Sequence, residues 1–314
     1  MKKMSETIVF FGSGPVAARS LEYLSKIFEI EAVITKPKPA NHKEDFPVLK
    51  TANQLGLKIS TVTDKQTLDL VFSDKPFRSK LGILIDFGII VSQEVIDYFP
   101  KGIINSHFSL LPEWRGADPI TAAILSGQKR TGVSLMLLTA GLDEGPILAQ
   151  LPCDIDNKPD SDQLTDELVE ISAEGLRIIT PLWLNSEIEA LPQDAGTLAS
   201  SMEPTYSRKL TKADGQLDWT KPAIQLEREV RAYHNWPKSH LDIGGIDVIV
   251  TKASVLPGRP NQEKPGTLME SPDHQTIELV SSDGFLSIER LKPAGKNEMT
   301  AKAFLVGYGS KIGF

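Results

Sequence analysis

From the amino end, short apolar runs alternate with stretches in which apolar side chains return at every third or fourth position. Residues 7–11 predict a buried strand that ends in the turn Gly12-Ser13-Gly14-Pro15. Helices are predicted over 16–28 and 48–55, strands over 30–35, 81–85 and 102–105, and a helix capped by Ser92 runs through Tyr98. Two more strands, 132–138 and 146–151, flank a turn at 139–145. Leu164, Leu168, Ile171, Leu176 and Ile179 then mark a long helix over 162–184. Strand and helix in alternation predict an α/β, Rossmann-like, mostly parallel sheet covered on both faces.

The pattern changes after residue 185. Residues 185–204 are polar and broken by Pro192 and Gly196, which reads as a linker. Beyond it come a short helix over 226–233 and strands over 246–253, 266–268, 276–281 and 285–291, separated by Gly, Pro and Asp turns. This predicts a smaller mostly-β barrel domain. The expected organisation is a first domain over 1–189, a linker over 190–205 and a C-terminal domain over 206–314.

A chain of 314 residues exceeds what one core usually serves, which agrees with two domains. No stretch reaches the roughly 18 apolar residues of a membrane span, and the first apolar run is too short for a signal-peptide core. Cys153 is the only cysteine, so no intrachain disulfide forms and no cysteine-based metal cluster is expected. A cytoplasmic monomer without a metal is the expectation. Net charge is −7, which argues against nucleic acid, but the charge is uneven. From residue 201 onward 15 Lys and Arg face 14 Asp and Glu, leaving that part at +1 and the rest at −8.

Candidate chemistry lies where ligands bind in open parallel sheets, beyond the carboxyl ends of the strands. The run Ile103-Ile104-Asn105-Ser106-His107 is an apolar strand ending in polar residues. If the backbone stays extended, Asn105 and His107 point to the same side. The Gly-bounded turn Gly141-Leu142-Asp143-Glu144-Gly145 presents a carboxylate. An Asn amide and a protonated His can hold a developing oxyanion, and an Asp can orient the His or take a proton. With no nucleophilic Ser or Cys in an evident elbow, direct attack on a carbonyl by a substrate amine fits best. By residue type alone, an Asn-x-His at a strand end is more often a satisfied polar pair, and an Asp between glycines an ordinary turn residue. The first turn lacks the third glycine of a dinucleotide fingerprint, because Ala17 stands there.

The run from Asn105 to Ile120, Asn-Ser-His-Phe-Ser-Leu-Leu-Pro-Glu-Trp-Arg-Gly-Ala-Asp-Pro-Ile, resembles the signature of folate-dependent formyltransferases. Asp143, in Gly-Leu-Asp-Glu-Gly, resembles that family's second motif. In the C-terminal part, Tyr206-Ser207-Arg208-Lys209-Leu210, Gly215-Gln216-Leu217-Asp218-Trp219, Arg231-Ala232-Tyr233-His234-Asn235-Trp236-Pro237 and Leu291-Lys292-Pro293-Ala294-Gly295-Lys296 look like the second domain of the methionyl-tRNA formyltransferases. The resemblance covers nearly the whole chain. It implies 10-formyltetrahydrofolate as formyl donor, initiator methionyl-tRNA as acceptor in translation initiation, an oligonucleotide-binding-like second domain and no metal. It also implies site residues. Asn105, His107 and Asp143 match the catalytic trio. Ser109, Leu110, Leu111 and Pro112 match a folate-contacting loop, and Asp86, Phe87, Gly88 and Ile89 match the loop beside the pterin. Lys36, Lys38, Lys43, Arg208 and Lys209 are candidates for tRNA contact.

Several positions depart from the family pattern. Phe108 stands where the family usually has Gly, Ser106 replaces an apolar residue, and Asp86 takes a small, neutral position. The segment 36–47, which family members use on the tRNA acceptor end, is short and diluted by acids. Three other readings stay open: a formyltransferase for an amino-sugar nucleotide or small amine, an inactive folate- or tRNA-binding module, and a dinucleotide oxidoreductase.

Overall fold

A computed structural model describes residues 4, 6–38, 46–194, 203–256 and 263–312. In chain order the elements are β1 (Thr7–Phe11), α1 (Pro15–Ile27), β2 (Glu29–Thr35), α2 (Pro47–Gln54), β3 (Ile59–Thr61), α3 (Lys65–Ser73), β4 (Gly82–Leu84), α4 (Gln93–Asp97), β5 (Ile103–His107), β6 (Arg115–Gly116), α5 (Pro119–Ser126), β7 (Arg130–Leu137), β8 (Ile147–Asp154), α6 (Ser161–Leu184) and β9 (Tyr206–Ser207). They continue with α7 (Ala223–Ala232), β10 (Ser239–Ile243), β11 (Ile246–Leu256), β12 (Leu268–Glu270), β13 (Ile277–Val280), β14 (Phe285–Pro293), β15 (Met299–Thr300) and α8 (Ala301–Ile312).

The chain divides into two compact units, one of Met1–Pro119, Arg130–Asp154 and Thr165–Ser207, the other of Ile120–Lys129, Ile155–Leu164 and Arg208–Phe314. The first unit is built on a seven-stranded sheet in the order β3-β2-β1-β4-β5-β7-β8. Its first five strands are parallel, and β7 and β8 join antiparallel to β5 and to each other. This is the α/β, Rossmann-like, mostly parallel sheet that the alternation predicts. Strand order reverses between β1 and β4, which defines the crevice where such sheets take ligands. The second unit carries an antiparallel sheet, β10-β11-β14-β13-β12 with β15 beside β14, curled as a half-barrel. Its core joins Leu226 and Val230 of α7 and Phe304 of α8 to the sheet face of Leu241, Val250 and Leu286.

Local chemistry accounts for the helix starts. Pro15 opens α1 with its φ already helical, and Asp64 caps α3 through a reciprocal box with Thr67. Ser92 caps α4 as expected, with its Oγ accepting from the Val95 amide at 3.3 Å. The polar stretch read as a linker is partly tied down. Leu191 exchanges two backbone hydrogen bonds with Ile147, at 2.7 and 2.9 Å, and β9 pairs with β6.

Candidate active site

Asn105 and His107 lie on β5, alternate residues of one strand, so both side chains leave the same face of the sheet. Ser106 between them points to the other face, where its hydroxyl meets Ser172 of α6 at 2.7 Å. The polar departure at Ser106 is therefore a satisfied buried pair. Asn105 and His107 are both buried, at 6% exposure. Phe108 follows at 5% exposure with an ordinary negative φ, so the backbone at this position does not need glycine.

Asp143 arrives from an unexpected direction. Leu137, at the end of β7, pairs with Ile104, and the Leu138 amide donates to Ile103 at 2.8 Å. The hairpin loop to β8 thus starts at the amino end of β5 and folds back over the sheet face. The trio meets above the middle of β5, not at a common row of strand ends. Asn105 Nδ2 donates to Asp143 Oδ1 at 3.2 Å, and the Gly116 amide donates to Oδ2 at 2.8 Å. His107 Nδ1 stands 3.8 Å from Oδ2, too far for a hydrogen bond but close for a charge pair. The other ring nitrogen, Nε2, lies 2.9 Å from the Trp114 carbonyl. A carbonyl only accepts, so this contact assigns a proton to Nε2 and leaves Nδ1 facing the carboxylate.

Asp143 thus stands near the imidazole without a hydrogen bond to it, while the Trp114 carbonyl fixes the ring. Trp114 is itself held, its amide donating to Thr205 Oγ1 at 2.9 Å. Gly116 and Trp114 belong to the quoted motif, yet their backbone atoms do the work, which side-chain reasoning does not reveal. Gln193 was not anticipated either. Its Nε2 donates to the Asp143 carbonyl at 2.8 Å and to the Gly145 carbonyl at 3.0 Å. Its Oε1 accepts from Arg115 Nη2 at 2.8 Å.

Ser109, Leu110, Leu111 and Pro112 are buried. The Ser109 hydroxyl donates to the Glu113 carbonyl, and the Leu111 amide donates to Ser134 Oγ at 2.9 Å. Gln150 Nε2 donates to the Leu111 carbonyl at 2.8 Å. These residues shape the loop that follows His107, and their side chains point into protein.

The other predicted loop sits at the switch between β1 and β4. Asp86 has φ +45°, and its carbonyl accepts from the Ser13 and Gly14 amides at 3.0 and 3.2 Å. Its carboxylate faces the start of α1, where the Ala17 and Val16 amides favour its charged form. A Cβ on Gly14 would come within 1.8 Å of Asp86 Oδ2. The Ser13 and Gly14 amides of this turn are therefore engaged by the chain's own aspartate, which weakens the dinucleotide reading. Asp86 is exposed at its surface, yet protein atoms crowd its carboxyl. Desolvation, then the charge of Asp118, pushes its carboxyl up to about 6 against the pull of Lys36 and the helix amides. Phe87 is buried edge-on against Phe11, with ring centroids 5.6 Å apart, while Gly88 and Ile89 retain accessible surface.

The candidate cations are disposed differently from one another. Lys36 Nζ donates to the Gly88 carbonyl at 3.0 Å, and Lys38 is exposed. Lys43 lies outside the described residues. Arg208 is gripped by both oxygens of Asp214, which competes with any phosphate, whereas Lys209 faces solvent. Among the described residues no helix is long and apolar enough to cross a membrane, and no group of three or more His, Cys, Asp or Glu is placed to hold a metal.

With this geometry in view, comparison with known proteins places the chain. Residues 7–178 match the family described as Formyl transferase, and residues 209–309 match Formyl transferase, C-terminal domain. The first match covers more than half of the chain, and the protein belongs to the formyl transferase family. Among solved structures it is similar to the N-formyltransferase from Helicobacter canadensis in complex with folinic acid and dTDP-3-aminofucose, with TM-score 0.64 and 19% identity over 91% of this chain and 98% of that one. WlaRD, a sugar 3N-formyl transferase crystallised with dTDP and 5-N-formyl-THF, gives TM-score 0.63 and 18% identity over 94% of this chain and 100% of its own. HypX from Aquifex aeolicus with tetrahydrofolic acid gives 0.62 and 17% over 95% of this chain, which spans only 46% of HypX. At these identities the likeness establishes a shared fold.

Proposed function

We propose that this chain transfers a formyl group from 10-formyltetrahydrofolate to a primary amine by direct attack, and that the acceptor is the α-amine of methionyl initiator tRNA. One observation carries the first part: a buried Asn amide lies 3.2 Å from an Asp carboxylate, on a strand that ends in His107. The folate-bound neighbours support the donor. Asp86, Phe87, Gly88 and Ile89 would border its pterin, and the 109–112 loop would set the wall behind His107.

In this reading the amine nitrogen bonds to the formyl carbon while the C–N10 bond breaks. Asn105 has a second amide N–H for the formyl oxygen as that oxygen gains charge. His107 donates through Nδ1 when the ring carries both protons, with Asp143 Oδ2 compensating the imidazolium. Asp143 also receives the proton the amine releases, directly or through one water, and returns it towards N10. The low exposure of Asn105 and His107 keeps competing water away from these donors.

The tRNA acceptor rests on the four C-terminal segments that resemble the methionyl-tRNA formyltransferases. The solved structures lean the other way. Two of them are sugar N-formyltransferases matched over 98% and 100% of their length, which supports an amino-sugar nucleotide as the second reading. The deciding experiment supplies 10-formyltetrahydrofolate with charged initiator tRNA or a panel of nucleotide-linked amino sugars. N-formylmethionine is the expected product, with a Michaelis constant that rises with salt as phosphate counterions are released. Formylation of sugars alone would replace the tRNA reading, and no transfer to any amine would sink both.

A further inference from the structure

We propose that Gln193 is a positioning residue that sets the Asp143 carboxylate; this rests on the formyl-transfer reading above. The Asp143 loop needs such a brace for a geometric reason. It leaves β7 at the level of Ile103 and Ile104 and must fold back across the sheet face to reach Asn105. Sheet hydrogen bonding ends at Leu138 and resumes at Pro146, so the intervening loop lies outside the ladder. Asp143 also sits at φ +48°, a region that a non-glycine residue holds only when its surroundings fix it.

Gln193 supplies that fixation from a remote stretch of chain. One amide nitrogen reaches two carbonyls of the loop, those of Asp143 and Gly145, at 2.8 and 3.0 Å. Its oxygen is anchored by Arg115 at 2.8 Å, one residue before the Gly116 amide that binds Asp143 Oδ2. The side chain thus ties the loop carrying the carboxylate to the strand supplying that carboxylate's donor. Gln193 is only 6% exposed, and the reciprocal pairing of Leu191 with Ile147 locks its backbone two residues earlier. Both carbonyls are main-chain atoms, so the contact is blind to the loop's side chains and acts on where the Cα of Asp143 stands.

Gln193→Leu keeps the bulk and removes the side-chain hydrogen bonds to Asp143, Gly145 and Arg115. Gln193→Glu keeps the acceptor for Arg115 and removes only the donor to the loop. Both are measured beside Asp143→Ala and the Gln193→Leu/Asp143→Ala pair. Displacement of a reacting group by about an ångström costs up to ~100-fold, so kcat should fall roughly 10- to 100-fold in each Gln193 variant, with the KM for the folate within about twofold. A residue acting only through Asp143 adds no loss once that carboxylate is gone, so the double variant should match Asp143→Ala alone. A structural role would instead add its loss in both backgrounds. Amide exchange at residues 141–145, read on the same proteins whether or not they turn over, should speed up in both Gln193 variants. Wild-type kcat in Gln193→Glu, an additive double variant, or unchanged exchange would overturn the proposal. Absence of transfer by the wild-type chain would instead count against the formyl-transfer reading, leaving amide exchange to decide the role of Gln193.

Discussion

Replacing Asn105 by Ala separates structural support from chemistry. The side chain has two jobs in the proposed site: one N–H holds Asp143 Oδ1 at 3.2 Å, and the other is placed for the formyl oxygen. Loss of one oxyanion donor costs about 3 kcal/mol of barrier, or ~10²–10³ in kcat. The stability cost is smaller. Asp143 Oδ2 keeps the Gly116 amide at 2.8 Å, and its side chain is 13% exposed, so water can replace the lost donor. A hydrogen bond to a charged group is worth about 1.5–3 kcal/mol when fully buried, so about 1–2 kcal/mol and a fall in Tm of roughly 2–8 °C are expected here. The assay is single-turnover transfer at saturating folate and acceptor, with thermal unfolding measured on the same preparation. A drop in kcat of two orders of magnitude with little change in Tm supports the reasoning. Turnover within threefold of wild type would refute the oxyanion role, and a collapse in Tm would show that Asn105 acts chiefly as a structural tie.

Three further outcomes follow from the geometry. Asp143→Ala should lower kcat far more than it changes folate affinity; a pure binding defect in equilibrium titration would contradict proton handling. Asp86 binds its proton more tightly folded than unfolded, so its stabilising contribution is complete below about pH 4 and fades as pH rises through about 6. Asp86→Asn should remove that segment of the Tm-versus-pH curve, and identical curves would show that the carboxyl titrates normally. Arg231→Met takes the bidentate partner at 2.9 and 3.0 Å from Glu227, which is 4% exposed, and leaves it Lys158 Nζ at 4.0 Å. A loss of about 3–5 kcal/mol in denaturant unfolding is expected, with much of it recovered in Arg231→Met/Glu227→Gln.

Much of the sheet was legible because buried strands need unbroken apolar runs. The strand predicted over 102–105 reaches His107, since polar Ser106 is satisfied on the far face by Ser172 and does not end the ladder. The three-residue β3, the short helices α3 and α5, and the edge strand β10 escaped, because each is short and β10 opens on the polar pair Ser239-His240. The C-terminal helix α8 was missed for a different reason: Gly307 and Gly309 fall within it. At the site, the strand period brought Asn105 and His107 to one face correctly. Asp143 was legible as a residue but its approach was not, because the antiparallel pairing of β7 with β5 puts the hairpin at the other end. Gln193 carried no local signal; its role exists only through two carbonyls some fifty residues away in sequence.

The fold-back of the Asp143 loop bears on how this chain can be dissected. A fragment stopped at residue 189, the boundary drawn from composition, would retain every strand of the seven-stranded sheet. It would lack the pairing of Leu191 with Ile147, the grip of Gln193 and the Thr205 contact that holds Trp114. Fold completeness and site completeness therefore call for different lengths of polypeptide, and the second extends at least to Ser207, where β9 closes on β6.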